Sequence, residues 1–232
     1  MRGRRVAGLV IDIDGTLADT FPHLFASFRH AVAPWVRRAP SDAEIVATFG
    51  PPERGCIQAL LSHAELALPQ ALTHLDEAVQ RFHAYYRAHH DRVRLFPGVA
   101  ELLRAVRAAG LKVAIFTGKG RSSAEYTLQR LGISDYDGLV AGDDVTHPKP
   151  HPEGILRAAQ MLALPASELV VVGDHPADIE AGRRAGAVTA GALWGAFDAH
   201  AVLAAQPDWI LRSPEELLAL LARPEPGRQP TS

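Results

Sequence analysis

The sequence predicts an α/β fold: a doubly wound, Rossmann-like parallel sheet with an α-helical segment inserted after its first strand. Three observations carry this expectation. Short apolar runs recur along the chain, and each ends in a polar turn. Amphipathic helical patterns separate most of them, and such alternation indicates parallel strands joined by helices. The stretch from Phe21 to His90 breaks the alternation, with helix signals and no convincing strand.

The first run, "RVAGLVIDID", is continuously apolar before its acids, as in a strand covered on both faces. Helical patterns follow in "PHLFASFRHAVAPW", "SDAEIVATF", "ERGCIQALLSH" and "PQALTHLDEAVQRFHAYYRAHH". Ser41 and Glu44 have the spacing of a capping box. The chain returns through a linker around Arg92 to Pro97. "GVAELLRAVRAAG" then reads as a helix started by Pro97 and stopped by Gly110. "LKVAIFTG" is the second strand, and "RSSAEYTLQRLG" the helix after it. "GLVAGDD" is a weaker third strand, "HPEGILRAAQMLAL" a helix, "LVVVGD" a fourth strand and "AVTAGALW" a fifth. The expected division is a core of residues 1–19 and 93–222 and a helical insert of 20–92. The polar, Pro-rich tail 223–232 is expected to be disordered.

A chain of 232 residues is long enough to bury about 70% of its unfolded surface. Lys and Arg total 24 against 26 Asp and Glu. That balance offers no general field for nucleic acid or an anionic membrane, and neither is expected as a partner. The longest weakly polar run, Ala185 to Phe197, falls short of the roughly 20 residues of a membrane helix. One cysteine, Cys56, excludes an intrachain disulfide and agrees with a cytoplasmic location. The oligomeric state is not legible.

In open α/β sheets, ligands sit beyond the carboxyl ends of the strands. Asp12 and Asp14 follow the first strand, Thr117 the second, Lys149 the third, and Asp174 the fourth, with Asp178 one helical turn on. Carboxylates crowded on one rim repel, and a divalent cation relieves the repulsion; Mg²⁺ takes a few carboxylates plus water and substrate phosphate. A carboxylate is also a nucleophile toward phosphorus, and a metal and a lysine supply charge neutralisation for the transfer. His147 and His151 in "HPKPHP" lack helix spacing for joint ligation and read as loop histidines.

These residues resemble a known family. "DIDGT" looks like the DxDGT motif of the haloacid dehalogenase-like hydrolases. "FTG" is similar to the second motif, Lys149 to the third and "GDHPAD" to the GDxxxD fourth, in order along nearly the whole chain. The insert and "LFPGV" resemble the C1-capped, phosphoglycolate phosphatase-like branch. The resemblance implies a Mg²⁺-dependent phosphatase acting on a small phosphorylated metabolite through an aspartyl-phosphate. Asp12 would be nucleophile and metal ligand. Asp14 would be the general acid/base, ligating through its backbone carbonyl. Thr117 would bind the phosphoryl group, with Gly118 beside it where many relatives have Asn. Lys149 would neutralise charge, Asp174 would ligate the metal and Asp178 would support it. Residues 20–92 would be the cap. The Gly50-Pro51-Pro52 turn would present Glu53 and Arg54 to the leaving group, Arg54 as the substrate contact.

A phosphomutase or pyrophosphatase uses the same core and stays open as an alternative. A dehalogenase is disfavoured by Asp14, and a phosphonate hydrolase by the absence of lysine between Phe21 and His90. A phospho-accepting signalling module would place its acceptor after a later strand and carry no large insert.

Overall fold

The computed structural model describes residues 6–221. Six strands form the main sheet: β1 (Gly8–Ile11), β4 (Lys112–Phe116), β5 (Gly138–Val140), β6 (Leu169–Gly173), β7 (Val188–Ala192) and β8 (Trp209–Leu211). Two shorter ones, β2 (Ala18–Asp19) and β3 (Arg94–Leu95), make an antiparallel ribbon. The order of the main sheet is β5-β4-β1-β6-β7-β8, and every pair is parallel.

All four residues of β1 are buried, because helices cover both faces of the sheet. Leu9 and Ile11 join one cluster with Val99 and Leu102 of α5 (Val99–Ala108) and Leu217 of α10 (Pro214–Leu221). Val10 points the other way, toward Ile155 and Ala158 of α7 (Glu153–Leu162) and Ala181 of α8 (Pro176–Ala185). From β1 the chain builds outward through β4 and β5, then crosses to β6 on the other side. β1 therefore sits at the point where the winding reverses, and a crevice opens there beyond the carboxyl ends.

Residues 21–92 fold around a core of their own. Helices α1 (Phe21–Val32), α2 (Asp42–Val46), α3 (Glu53–Ser62) and α4 (Leu75–Ala88) bury Phe28, Ile45, Ile57, Phe82 and Tyr86 together. The Ser41–Glu44 capping box is present at the start of α2. Three helices are shorter than their patterns, and α2 stops at Val46, before the end of its own. α1 gives way to a 3₁₀ turn at Ala33–Trp35, because Pro34 has no N–H to continue the ladder. α4 starts at Leu75, after another 3₁₀ turn at Ala71–His74.

Two features were not anticipated. The β2–β3 ribbon pairs Ala18 with Leu95 and Asp19 with Arg94, tying together the segments that enter and leave the insert. Two residues a side are too few for periodicity to register. β8 is a three-residue edge strand with Ile210 exposed, so its pattern is weak as well. No helix among the described residues is long and apolar enough to cross a membrane. The tail 223–232 lies outside the described residues.

Where the insert meets the core, α4 and its exit pack against α6 (Arg121–Arg130) through a buried polar group. Thr127 Oγ1 donates to Ser123 O at 2.8 Å, which leaves it to accept from Tyr86 Oη at 2.6 Å and His90 Nε2 at 3.2 Å. Burial lowers the His90 pKa to about 4, with the neighbouring His23 adding to the effect. The unfolded chain takes up this proton near pH 6.5 and the folded chain only near 4. Stability from neutral His90 is thus complete above about pH 6.5 and is lost as pH falls toward 4, by at most about 3 kcal/mol. In urea titrations at pH 4.5 and 7.5, His90→Gln should narrow the stability gap between the two pH values. An unchanged gap would rule out His90 as its source.

Candidate active site

β1 carries Asp12 to the carboxyl edge in strand register, its N–H donating to Val172 O at 3.0 Å. The chain then turns tightly, with the Leu17 and Ala18 N–H groups both on Ile13 O at 3.0 Å. Gly15 has φ 66°, in the left-handed region. A Cβ there would lie 2.2 Å from Asp174 Oδ2, so both backbone and contact demand glycine. Thr16 Oγ1 donates to Asp174 Oδ1 at 3.0 Å, and Trp194 Nε1 donates to Thr16 O at 2.9 Å. The turn after β1 is thereby clamped to the ends of β6 and β7.

Asp12, Asp174 and Asp178 each bring a carboxylate oxygen within 4.8 Å of the others, and all three are buried. Lys149 reaches into this group. Its Nζ lies 3.0 Å from Asp12 Oδ1 and 2.6 Å from Asp178 Oδ1, and it donates to Phe116 O at 2.8 Å. Asp178, in the first turn of α8, also accepts from the His175 N–H at 3.2 Å. Burial is the main force lifting the Asp12 carboxyl to about 7; Lys149 opposes it, and Asp178 and Asp14 add to it. Burial, then Asp12 and Asp178, raise Asp174 well above the usual range. Burial acts against the Lys149 charge, but Asp12 and Asp178 outweigh it and hold the ammonium above its usual pKa. One lysine among three carboxylates leaves negative charge uncompensated, and an oxygen-only donor set of this kind fits a small hard cation.

Asp14 is turned from that group. Its Oδ1 accepts from Thr20 Oγ1 at 2.5 Å and lies 3.0 Å from Lys119 Nζ. The Lys119 contact is an ion pair without aligned hydrogen-bond geometry. The ammonium also sits 5.1 Å from the Tyr86 ring centre. Thr117 is fully buried behind this loop, its Oγ1 accepting from the Lys119 N–H at 3.2 Å. Gly118 faces the crevice.

The structure thus gathers Asp12, Asp14, Lys149, Asp174 and Asp178 on one rim, with Thr117 and Gly118 beside them. It does not bring Arg54 there. The Arg54 guanidinium pairs with Asp76 at 2.6 Å on the exposed side of the insert, because the first turn of α3 sends successive residues in different directions. Glu53 is the residue that turns inward. It is 6% exposed, and its Oε2 accepts from the Gly120 N–H at 2.9 Å, bridging insert and core.

Sequence reasoning missed Lys119, Thr16 and Thr20. A signal existed for Lys119. The chain has lysine at only three positions, 112, 119 and 149, and arginine at all its other basic sites. A lysine kept just past the second strand, in a chain that otherwise uses arginine, marks a point charge on a compact head. Away from this centre, exposed His147 and His151 group with half-buried Glu153, which accepts from the Thr146 and His147 N–H groups and braces the Lys149 loop.

A strand-end aspartate pair, a buried lysine and a second acidic pair thus meet on the rim of a parallel α/β sheet. The sequence profile of the haloacid dehalogenase-like hydrolases matches residues 9–192, and the chain belongs to that family. It is 32% identical to the pyrophosphatase PpaX of Bacillus velezensis over 94% of this chain and 97% of that one. It is 29% identical to a phosphoglycolate phosphatase of Salmonella paratyphi A, over 97% of this chain and 96% of that one. The crystal structure of a predicted phosphoglycolate phosphatase from Haemophilus somnus superposes with a TM-score of 0.83 at 25% identity, covering 93% of this chain and 97% of that one.

Proposed function

We propose that the protein is a Mg²⁺-dependent phosphatase that hydrolyses a small phosphorylated metabolite through an aspartyl-phosphate on Asp12. The observation that carries the reading is the Lys149 ammonium set between Asp12 and Asp178, with Asp14 two residues further along the same turn. Asp12, Asp174 and the backbone carbonyl of Asp14 would hold Mg²⁺, with Asp178 in support. When bound, the cation neutralises charge on the transferring phosphoryl group.

An oxygen of Asp12 attacks phosphorus, and the bond from phosphorus to the leaving oxygen breaks. Asp14 gives its proton to that oxygen, so the alcohol departs neutral. Asp14 then takes a proton from water, whose oxygen attacks phosphorus, releasing inorganic phosphate and restoring the Asp12 carboxylate. Lys149 keeps Asp12 oriented and ionised for attack. Thr117 and the Gly118 N–H hold phosphoryl oxygens, and Lys119 steadies Asp14. Residues 20–92 act as a cap that excludes bulk water during transfer.

Chelation tests the metal. Hydrolysis of an aryl phosphate should vanish in EDTA and return with excess Mg²⁺, whereas full activity in metal-free buffer would overturn the reading. The PpaX relatives favour a second reading, in which the bond cleaved is a phosphoanhydride. Comparing turnover of pyrophosphate with that of monoesters decides between the two.

A further inference from the structure

The loop that carries Lys149 has a second face. In "THPKPHPE" the Lys149 side chain runs inward to Asp12, while His147 and His151, two residues to either side, stay exposed. Pro148, Pro150 and Pro152 keep the segment out of a helix. A turn brings the histidines together instead: the His151 N–H donates to Pro148 O at 2.9 Å and folds the chain back. The two imidazoles lie with ring centres 4.5 Å apart, tilted by 35°.

Glu153, the first residue of α7, closes the group. One nitrogen from each histidine and one Glu153 oxygen lie within 4.8 Å of one another. His147 Nδ1 stands 3.0 Å from Glu153 Oε2. His151 Nδ1 accepts from the Glu153 N–H at 3.3 Å, a long bond that fixes the ring over the start of α7. Two ligands at about 2.0–2.1 Å from a tetrahedral ion are about 3.4 Å apart. The first pair is therefore already near ligand separation, and the exposed His151 ring needs to shift by at most about 1.4 Å.

The carboxylate is held by groups that stay in place on ligation. Glu153 Oε1 accepts from the Thr146 N–H at 3.1 Å and from Arg157 Nη2 at 2.9 Å, and Oε2 accepts from the His147 N–H at 3.0 Å. Outer bonds of this kind orient a ligand and are a regular part of metal sites. The contact that a cation replaces is the one between His147 Nδ1 and Oε2, so one hydrogen bond is exchanged for two coordinate bonds. Arg157 brings a positive charge, but to the other oxygen. Imidazole nitrogens with one carboxylate suit Zn²⁺, Ni²⁺ or Cu²⁺, whereas Mg²⁺ prefers oxygen alone.

We propose that His147, His151 and Glu153 bind one transition-metal ion of this kind, with water completing its shell, and that the ion clips the Lys149 loop to α7. Lys149 stands midway between the two histidines. An ion that ties both of them to α7 restrains the lysine's backbone on both sides. The site differs from the acidic rim in donor chemistry, nitrogen against oxygen alone, and does not depend on the phosphatase reading.

For the test, protein stripped with EDTA is returned to excess Mg²⁺, which competes for the oxygen-only rim, and Zn²⁺ is added by calorimetric titration. One equivalent should bind, and its affinity should fall at least about tenfold in His147→Gln and in His151→Gln. His74→Gln, whose ring stands 3.7 Å from Glu77, and His200→Gln, at the start of α9 (Ala199–Ala204), should bind as the wild type does. Zn²⁺ should raise the thermal midpoint of the wild type and leave those of the two ligand variants where they are. Cu²⁺, added below one equivalent, should give an electron paramagnetic resonance spectrum with nitrogen couplings, which an all-oxygen centre does not produce. That wild-type spectrum requires no variant. Absence of a saturable Zn²⁺ site, an affinity that both substitutions leave unchanged, or a copper spectrum without nitrogen coupling overturns the proposal. Zn²⁺ binding that leaves the wild-type midpoint unmoved overturns the clip and keeps the site. Each of these outcomes leaves the phosphatase reading as it was.

Discussion

Asp12→Asn should lower turnover of an aryl phosphate by at least about a thousandfold, equivalent to roughly 4 kcal/mol of transition-state stabilisation. The amide keeps the shape of the side chain and cannot attack phosphorus. The fold should survive, because Asp12 is held against a gradient. Burial and two nearby acids push its carboxyl up to about 7, so removing its charge relieves repulsion with Asp178 and Asp14. Thermal melting should therefore show a midpoint equal to or above that of the wild type. A folded variant with more than a few per cent of the original activity would remove Asp12 as nucleophile.

Lys149→Met should damage both activity and stability. Its ammonium is the positive charge that touches Asp12 and Asp178 at once, and it also satisfies the Phe116 carbonyl. Removing one member of a buried ionic group commonly costs about 3–5 kcal/mol, because the opposite charges stay buried. Proton uptake by the aspartates softens that penalty, so a loss near 3 kcal/mol is expected in urea titrations run in EDTA. Mg²⁺ should restore more stability to the variant than it adds to the wild type, since the carboxylates have lost their other counter-charge. Adding Asp12→Asn to Lys149→Met should recover part of the deficit, the signature of two groups in direct contact. If Lys149→Met unfolds at the wild-type urea midpoint in EDTA, the lysine is not the counter-charge of the acidic group.

Much of this centre was legible because it is written locally. Asp12 and Asp14 sit two residues apart at the end of one strand, and a strand end is visible where an apolar run stops. Asp174 follows the end of β6 directly, and Asp178 stands in the first turn of the next helix, whose start is marked by Pro176. Lys149 stands in a loop dense in proline. The order of these motifs, with strands between them, was enough to expect the parallel sheet and the rim.

Other parts escaped for reasons that are equally physical. Arg54 and Glu53 begin the same helix, and a helix turns each successive side chain by about 100°. Which of the two faces the core depends on how α3 rotates against its neighbours, and packing of Ile57 and Cys56 into the insert's own core decides that. The β2–β3 ribbon and β8 are too short to have a period.

By itself, the sequence determined five of the six strands of the parallel sheet, the place of the helical insert and the five acid and lysine positions of the rim, because each depends on contacts within a few residues or on the simple succession of strands and helices. Only the tertiary structure decided the partners that come from far away. Glu53 meets Gly120 across 67 positions, and Thr16 meets Asp174 across 158. It also decided that Phe21, Phe28 and Phe49 help line a cavity. Apolar side chains obey one rule, to leave water, and either a neighbouring helix or a ligand satisfies it. The chain encodes the tendency at each position, and the packing of the insert beside the rim determines which of the two is met.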